Sequence, residues 1–287
     1  MKSSMMKSHT DESSLTSSGE GRLLHEPTDG KRVWMPHPLL QSTIFAATRP
    51  DHTSQRIERI NAFGDKIRID SPRLLTTGTD LPVFLSTLAL AQKNGIREGT
   101  LGGNTVCFTQ FPIAGLYELL GVDRRNRAWL TQALYDIGRT SFLITYRDPE
   151  KHRGRYKWEA GQFWIPSLTV GQGRNGSTLQ LQISRFLVPK PDVYLYAQLE
   201  LVNALETDVA KGIFWVLICR ESLRASPGEW QSLLGSNDRK LRQWRVKSFL
   251  PALEELATMG FSWRECEDGA VVVHRPGKKQ KQGELMS

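Results

Sequence analysis

Five of the ten residues from Asp238 to Lys247 are basic: Arg239, Lys240, Arg242, Arg245 and Lys247. Gln243 stands among them. Cations of this kind suit phosphate oxygens, and Arg, Lys and Gln also carry the donor patterns that read base edges in a major groove. A basic face can equally be an ordinary solvated surface, so spacing has to decide. On a 3.6-residue wheel, Leu241, Ser248, Phe249, Ala252 and Leu256 share one side of a helix predicted over Asp238 to Met259. Arg239, Lys240, Gln243 and Lys247 lie opposite. Arg245 falls toward the apolar side, where a structural ion pair is as natural as a base contact. Ser236, Asn237 or Asp238 can cap the helix start. Pro251 lacks an amide hydrogen, so a kink or local break is expected there.

The elements that would position this face are legible on either side. Glu229 to Leu234 is a short amphipathic run, and Gly235-Ser236-Asn237 breaks it. After the long helix, Phe261 to Glu265 and Ala270 to His274 flank Asp268-Gly269, a strong hairpin signal. Helix, tight turn, second helix and hairpin form the plan of a winged helix-turn-helix. Glu265, Glu267 and Asp268 put anionic groups near the hairpin tip, where they would repel phosphate. That hairpin therefore reads as mainly structural.

The middle of the chain repeats the plan. Thr79-Asp80-Leu81-Pro82 opens a helix through Lys93, Val106 to Thr109 reads as a strand, and Phe111 to Leu120 is helical. Gly121-Val122-Asp123 is a turn, and a second helix runs from Arg124 to about Ile137. Leu130, Ala133, Leu134 and Ile137 make its apolar stripe, while Arg125 and Gln132 point away and Arg124 lies near the edge. Phe142 to Tyr146 and Tyr156 to Trp164 form a hairpin. Its loop carries Lys151, Arg153 and Arg155, with Lys157 just beyond, so this wing is suited to phosphate or is a solvated turn. Strands around 163–170 and 178–188 extend the sheet, and Arg56 to Ile69 has strand character.

Composition bounds the partner. The 287-residue chain has a formal charge of +8 and a pI near 9.5. A basic balance in a soluble chain favours a polyanion, nucleic acid before membrane. No apolar run reaches spanning length, and the N-terminus lacks a signal-peptide core, so a cytoplasmic location is expected. Cys107, Cys219 and Cys266 are few, odd in number and far apart, which suggests neither a disulfide framework nor a metal cluster. No phosphate-binding loop of the Gly-x-x-x-x-Gly-Lys-Ser/Thr type occurs. His37, His52, His152 and His274 are scattered, and Glu254 and Glu255 read as a solvated helix face. A non-enzymatic protein without cofactor or metal is the expectation.

The resulting organisation is α+β, with two tandem winged helix-turn-helix domains. Residues 1–32 read as a disordered segment, 33–190 as the first domain with an N-terminal extension, 191–275 as the second, and 276–287 as a basic tail. Pro189-Lys190-Pro191 marks the expected boundary, and Val209 to Glu221 the first helix of the second domain.

Gly235-Ser236, Trp244-Arg245, Glu255-Leu256, Gly260 and the terminal His274-Arg275 resemble the TrfA family of plasmid replication initiators. So do Phe108-Thr109 leading to Leu119-Leu120-Gly121, and Pro38-Leu39-Leu40 to Phe45. The likeness spans roughly Pro36 to Arg275. Between Gly171 and Ala210 the chain lacks the acidic strand and aromatic-basic stretch of that family. Pro251 to Pro276 also resembles initiators of IncQ-type plasmids. The resemblance implies binding to direct repeats (iterons) of double-stranded DNA at an origin, help in melting an A·T-rich segment, and recruitment of the host helicase and its loader. It also implies monomer–dimer self-association. By position, Arg239 to Lys247 would be the main base reader, while Arg124, Arg125 and the 151–157 loop grip the backbone. A winged-helix transcriptional repressor is the competing reading.

One short segment stands apart. Gln41-Ser42-Thr43-Ile44-Phe45 loosely matches the peptide that docks on bacterial sliding clamps, with Gln41 at the rim and Ile44 and Phe45 as anchors. The alternative is that Ile44 and Phe45 pack on the first domain.

Overall fold

Helix α1 (Asp80–Asn94) is the element on which most of the chain packs. Thirteen of its fifteen residues are buried, and a helix covered on all sides is a core helix. The computed structural model describes residues 21–36, 44–48, 55–60, 66–101, 103–145, 158–169, 177–189, 194–218, 220–236, 238 and 240–276. Four strands precede α1: β1 (Arg22–Leu23), β2 (Arg32–Pro36), β3 (Gln55–Ile60) and β4 (Lys66–Ser71). After it come β5 (Arg97–Leu101), β6 (Asn104–Pro112), α2 (Ala114–Leu120), a 3-10 turn (Arg124–Asn126) and α3 (Arg127–Arg139). The hairpin β7 (Ser141–Thr145) and β8 (Trp158–Gln162) follows, then β9 (Trp164–Thr169), β10 (Thr178–Ile183) and β11 (Tyr194–Gln198). The last part runs α4 (Leu199–Ala204), α5 (Asp208–Leu217), β12 (Ser222–Ala225), α6 (Pro227–Leu233) and α7 (Leu241–Trp244). A π-helical turn (Arg245–Phe249), α8 (Leu250–Thr258), β13 (Ser262–Glu265) and β14 (Val271–His274) complete it.

The architecture is α+β. The described strands form sheets of order β1-β5-β6-β10-β9, β3-β4-β7-β8, β12-β14-β13 and β11-β2. Alternation sets their faces: in β4, Ile67 and Ile69 point inward while Lys66 and Arg68 do not. Trp164 closes the joint between β9 and α3, donating its indole N–H to the Leu134 carbonyl at 3.0 Å. Gly138 lets the strand approach, because a Cβ there would lie 2.8 Å from the Trp164 carbonyl oxygen.

One buried core runs through both halves. Phe45 joins them: its ring lies 5.4 Å from Phe84 of α1 and 5.8 Å, edge-on, from Trp215 of α5. Ala47 continues the tie by donating its N–H to the Leu234 carbonyl at 2.7 Å. Ile44 and Phe45 are each 1% exposed, so they take the packing role rather than that of free clamp anchors. Docking on a clamp would first require pulling both from the core. Gln41 lies outside the described residues.

Two boundaries differ from the sequence expectation. Part of the segment expected to be disordered is laid against the fold: β1 pairs with β5, and the Leu24 N–H donates to the Ile96 carbonyl. Backbone pairing with an open sheet edge needs no apolar pattern, which is why composition did not show it. The division also falls later than Pro189-Lys190-Pro191. Strand β11 pairs antiparallel with β2, from Tyr194↔Pro36 to Gln198↔Arg32, so 194–198 pair within the first half.

Candidate nucleic-acid interface

The C-terminal basic surface is built from α6 upward. Ser226 and Glu229 form a capping box: the Ser226 hydroxyl accepts from the Glu229 N–H, and the Glu229 carboxylate accepts from the Ser226 N–H. Pro227 occupies the first turn, where its missing N–H costs nothing. Trp230 is fully buried and donates its indole N–H to the Val271 carbonyl at 3.1 Å, fixing α6 to β14. The turn then uses Gly235 at φ 65°. Gln231 holds it, donating to the Asp238 carbonyl at 2.8 Å.

Helix α7 starts at Leu241, three residues later than expected. Lys240 is its N-cap, with no side-chain cap hydrogen bond, so Asp238 lies in the turn before the helix. The apolar side also differs. Trp244 is buried and Leu241 is 41% exposed. The reason is the π turn. Five residues span about 140° around a regular α-helix, so Trp244 and Phe249 could not share a face there. In the π turn they stack, with ring centroids 5.0 Å apart and planes at 18°. The Leu250 N–H donates to the Arg245 carbonyl, five residues back. Pro251 follows at once in the first turn of α8. It has no N–H for the Lys247 carbonyl, so the break expected from Pro251 is realised as a π turn just before it.

The exposed face of this helix therefore holds Lys240, Arg242, Gln243, Val246 and Lys247. Arg239 lies outside the described residues. Arg245 takes the structural alternative, pairing with Glu265 of β13. The hairpin's other acid, Asp268, pairs with Arg224 of β12. The Ala270 N–H, and then Arg224, hold the Asp268 carboxyl below its usual range. These acids thus brace the sheet from within the unit.

Beside the reading face is a cleft of about 870 Å³. Lys240, Gln243, Trp244 and Lys247 line it together with Thr207, Asp208 and Val209 at the start of α5, and with Ala47 and Thr48. Burial pushes the Asp208 carboxyl up, against the opposing pull of Lys211. The Trp244 indole nitrogen is buried without a hydrogen-bond partner among the described residues.

The first unit offers a second exposed helix. Arg124 and Arg125 are exposed on the 3-10 turn, which the Asp123 carboxylate caps by accepting from the Arg125 N–H at 2.8 Å. Leu130, Ala133, Leu134 and Ile137 are buried as the stripe predicts. Gln132 is exposed, but its amide donates to the Asp136 carboxylate at 2.8 Å. That carboxylate belongs to a buried ion triad: Arg73 contacts Asp136 at 2.7 Å and grips Asp80 with two hydrogen bonds of 2.8 and 2.6 Å. The carboxylates hold the Arg73 guanidinium charged, raising its pKa above the ordinary value.

Lys151, Arg153, Arg155 and Lys157 lie outside the described residues, but the strands that carry their loop are in place. The register pairs Thr145 with Trp158, and Lys66 with both Ile60 and Thr145, so these strand ends lie together at one end of the sheet.

Sequence reasoning missed two features. Arg73, Asp80 and Asp136 are scattered in sequence and have no motif. Trp244 and Val246 were left unplaced by a wheel that assumed uniform α geometry and set Leu241 on the apolar side. The spacing of Trp244, Phe249, Ala252, Leu253 and Leu256 fits one face only with an extra residue, and that was the available signal. Among the described residues no cluster of His, Cys, Asp and Glu suits a metal ion, and no helix is long and apolar enough to cross a membrane.

No protein-family model matches the chain, and no curated protein does. The chain is similar to solved structures over most of its length. A crystal structure of selenomethionine derivatives of domains 2 and 3 of RctB covers 80% of this chain and 94% of its own, at 12% identity and a TM-score of 0.50. A crystal structure of RctB domains 2–3 covers 80% and 95%, at 14% identity and a TM-score of 0.47.

Proposed function

We propose that the chain is a plasmid replication initiator built on two tandem winged helix-turn-helix domains. It binds direct-repeat DNA at an origin, assists melting and recruits the host helicase and its loader. The observation that carries the reading is the doubled plan. Helix, helix and hairpin follow in the order α2, α3, β7-β8 and again α6, α7-α8, β13-β14, with an exposed second helix bearing cations each time. The net charge of +8 fits a polyanionic partner. RctB, whose domains 2 and 3 share the fold, belongs to the replication-initiator class. The TrfA-like residues, among them Trp244-Arg245, add plasmid replication to that class.

In this reading Lys240, Arg242, Gln243 and Lys247 face the major groove. Arg124, Arg125 and the 151–157 loop bind backbone phosphates. The function is non-enzymatic and requires no cofactor. It operates in the cytoplasm, with a monomer–dimer balance regulating it. The test is footprinting on DNA flanking the reading frame. Protection of several direct repeats beside an A·T-rich stretch is expected. Protection of a single palindrome would make the chain a repressor.

A further inference from the structure

Val246 is 59% exposed, the most exposed of the large hydrophobic side chains among the described residues. Nothing in the fold rewards it there. It adds little to the core, and a β-branched residue is a weak helix former. Its position follows from the π turn, which carries Trp244 and Phe249 inward and leaves Val246 on the outer face. Arg242 lies one turn before it, and Gln243 and Lys247 flank it, all exposed. The patch is an apolar knob inside a ring of cations and one amide. These flanking cations favour a polyanion, and the valine among them suits one that carries an apolar group of its own. The major groove of DNA has one such group, the C5-methyl of thymine.

We infer that Val246 is a specificity-determining residue that packs on a thymine methyl, beside an adenine held by Gln243. The inference rests on the proposed DNA-reading function and goes beyond it by naming the base and the atom. Gln has the paired donor and acceptor that match adenine N7 and N6, so a neighbouring Val on thymine selects an A·T-containing step. Arg242 and Lys247 contribute charge on either side and are indifferent to the methyl.

The experiment begins with the full chain selecting its preferred duplex from a random-sequence pool. Each thymine of that duplex is then replaced by deoxyuridine, which removes only the methyl, and binding is followed by fluorescence anisotropy. At one thymine the parent protein should lose about fourfold in affinity, the weight of one methyl group removed from water. Val246→Ala should bind the thymine and uracil duplexes equally. Val246→Ile should keep the discrimination. The site is exposed, so thermal melting of both variants should match the parent. Indifference of the parent to uracil at every thymine, with a sequence still selected, would overturn the inference and leave the DNA-reading function standing. Undiminished uracil sensitivity in Val246→Ala would also overturn it. Enrichment of no sequence at all would instead sink the DNA-reading function, and this inference with it.

Discussion

Truncating Phe45 to Ala tests whether the two halves share one core. Phe45 is 1% exposed and touches Phe84 and Trp215, which sit on helices of different halves. Emptying a buried Phe site costs about 3–5 kcal/mol. For a chain of this size each kcal/mol moves the midpoint by roughly 2–4 °C. A loss of about 4 kcal/mol should therefore lower the melting temperature by roughly 8–16 °C. The shift should appear as one transition, because the cavity opens against α1 and α5 together. Calorimetry with circular dichroism as a second probe reads both quantities. A variant melting within about a degree of the parent would refute the packing argument and free the 41–45 segment for docking. Two separated transitions already present in the parent would refute the shared core.

Arg73→Met leaves the Asp80 and Asp136 carboxylates buried and facing each other, so urea unfolding should show a loss of about 3–5 kcal/mol. Changing both acids to Asn in the same chain should recover much of it. Burial raises the Asp208 carboxyl, so the folded state holds its proton to higher pH than the unfolded chain does. The resulting penalty is absent below the unfolded carboxylate range, grows as pH rises through the raised value, and is complete above it. Asp208→Asn should thus melt higher than the parent at pH 7 and lose that advantage near pH 4; an equal offset at both would refute the assignment. On the proposed function, neutralising about six phosphates gives a log–log salt slope near −5. A slope shallower than about −2 would exclude a grip by both domains. Inserting five base pairs between the two contacted segments turns one face of the duplex away by about half a turn. Gel-shift affinity should fall to the non-specific level, and unchanged affinity would show that the domains are flexibly joined.

The elements most legible in the sequence were those with a strong local signal. Asp268-Gly269 announced β13-β14, and Leu130, Ala133, Leu134 and Ile137 announced the buried side of α3. The doubled order of helices and hairpins followed from these. What stayed hidden depends on contacts distant in sequence. The pairing of β11 with β2 joins residues about 160 positions apart, and no local pattern records it. The basic face was half legible: Gln243 and Lys247 came out exposed as expected, while Leu241, expected on the apolar side, is exposed and the buried Trp244 had been given no face. That error has one source. A wheel assumes constant pitch, and a π turn inserts a residue that shifts every position on one side of it relative to the other.

Polar contacts at the joint between the halves tie the two exposed helices to one core. Glu255 of α8 accepts hydrogen bonds from the N–H groups of Glu206 and Thr207 and from the Thr207 hydroxyl, closing the entry to α5. At that entry the Thr77 hydroxyl donates to the Asp208 carbonyl at 2.6 Å, and Lys211 reaches the Gly78 carbonyl. A Cβ at Gly78 would fall 2.0 Å from an Asp208 carboxylate oxygen, so a larger residue there would displace the Asp208 side chain. From Thr76 the Asp80 carboxylate leads to Arg73, then to Asp136 and to Gln132 on α3. A polar path thus links α8 to the outer face of α3, and its central members are buried. Breaking any of these links without water to replace it leaves a donor, an acceptor or a charge stranded, at about 1–3 kcal/mol for a neutral group and more for a charge. Hinge motion at this joint would break several together, and the aromatic contacts of Phe45 as well. The spacing between the two exposed basic helices is accordingly tied to the folded core, and on the proposed function one fixed spacing would suit repeats of one fixed phase.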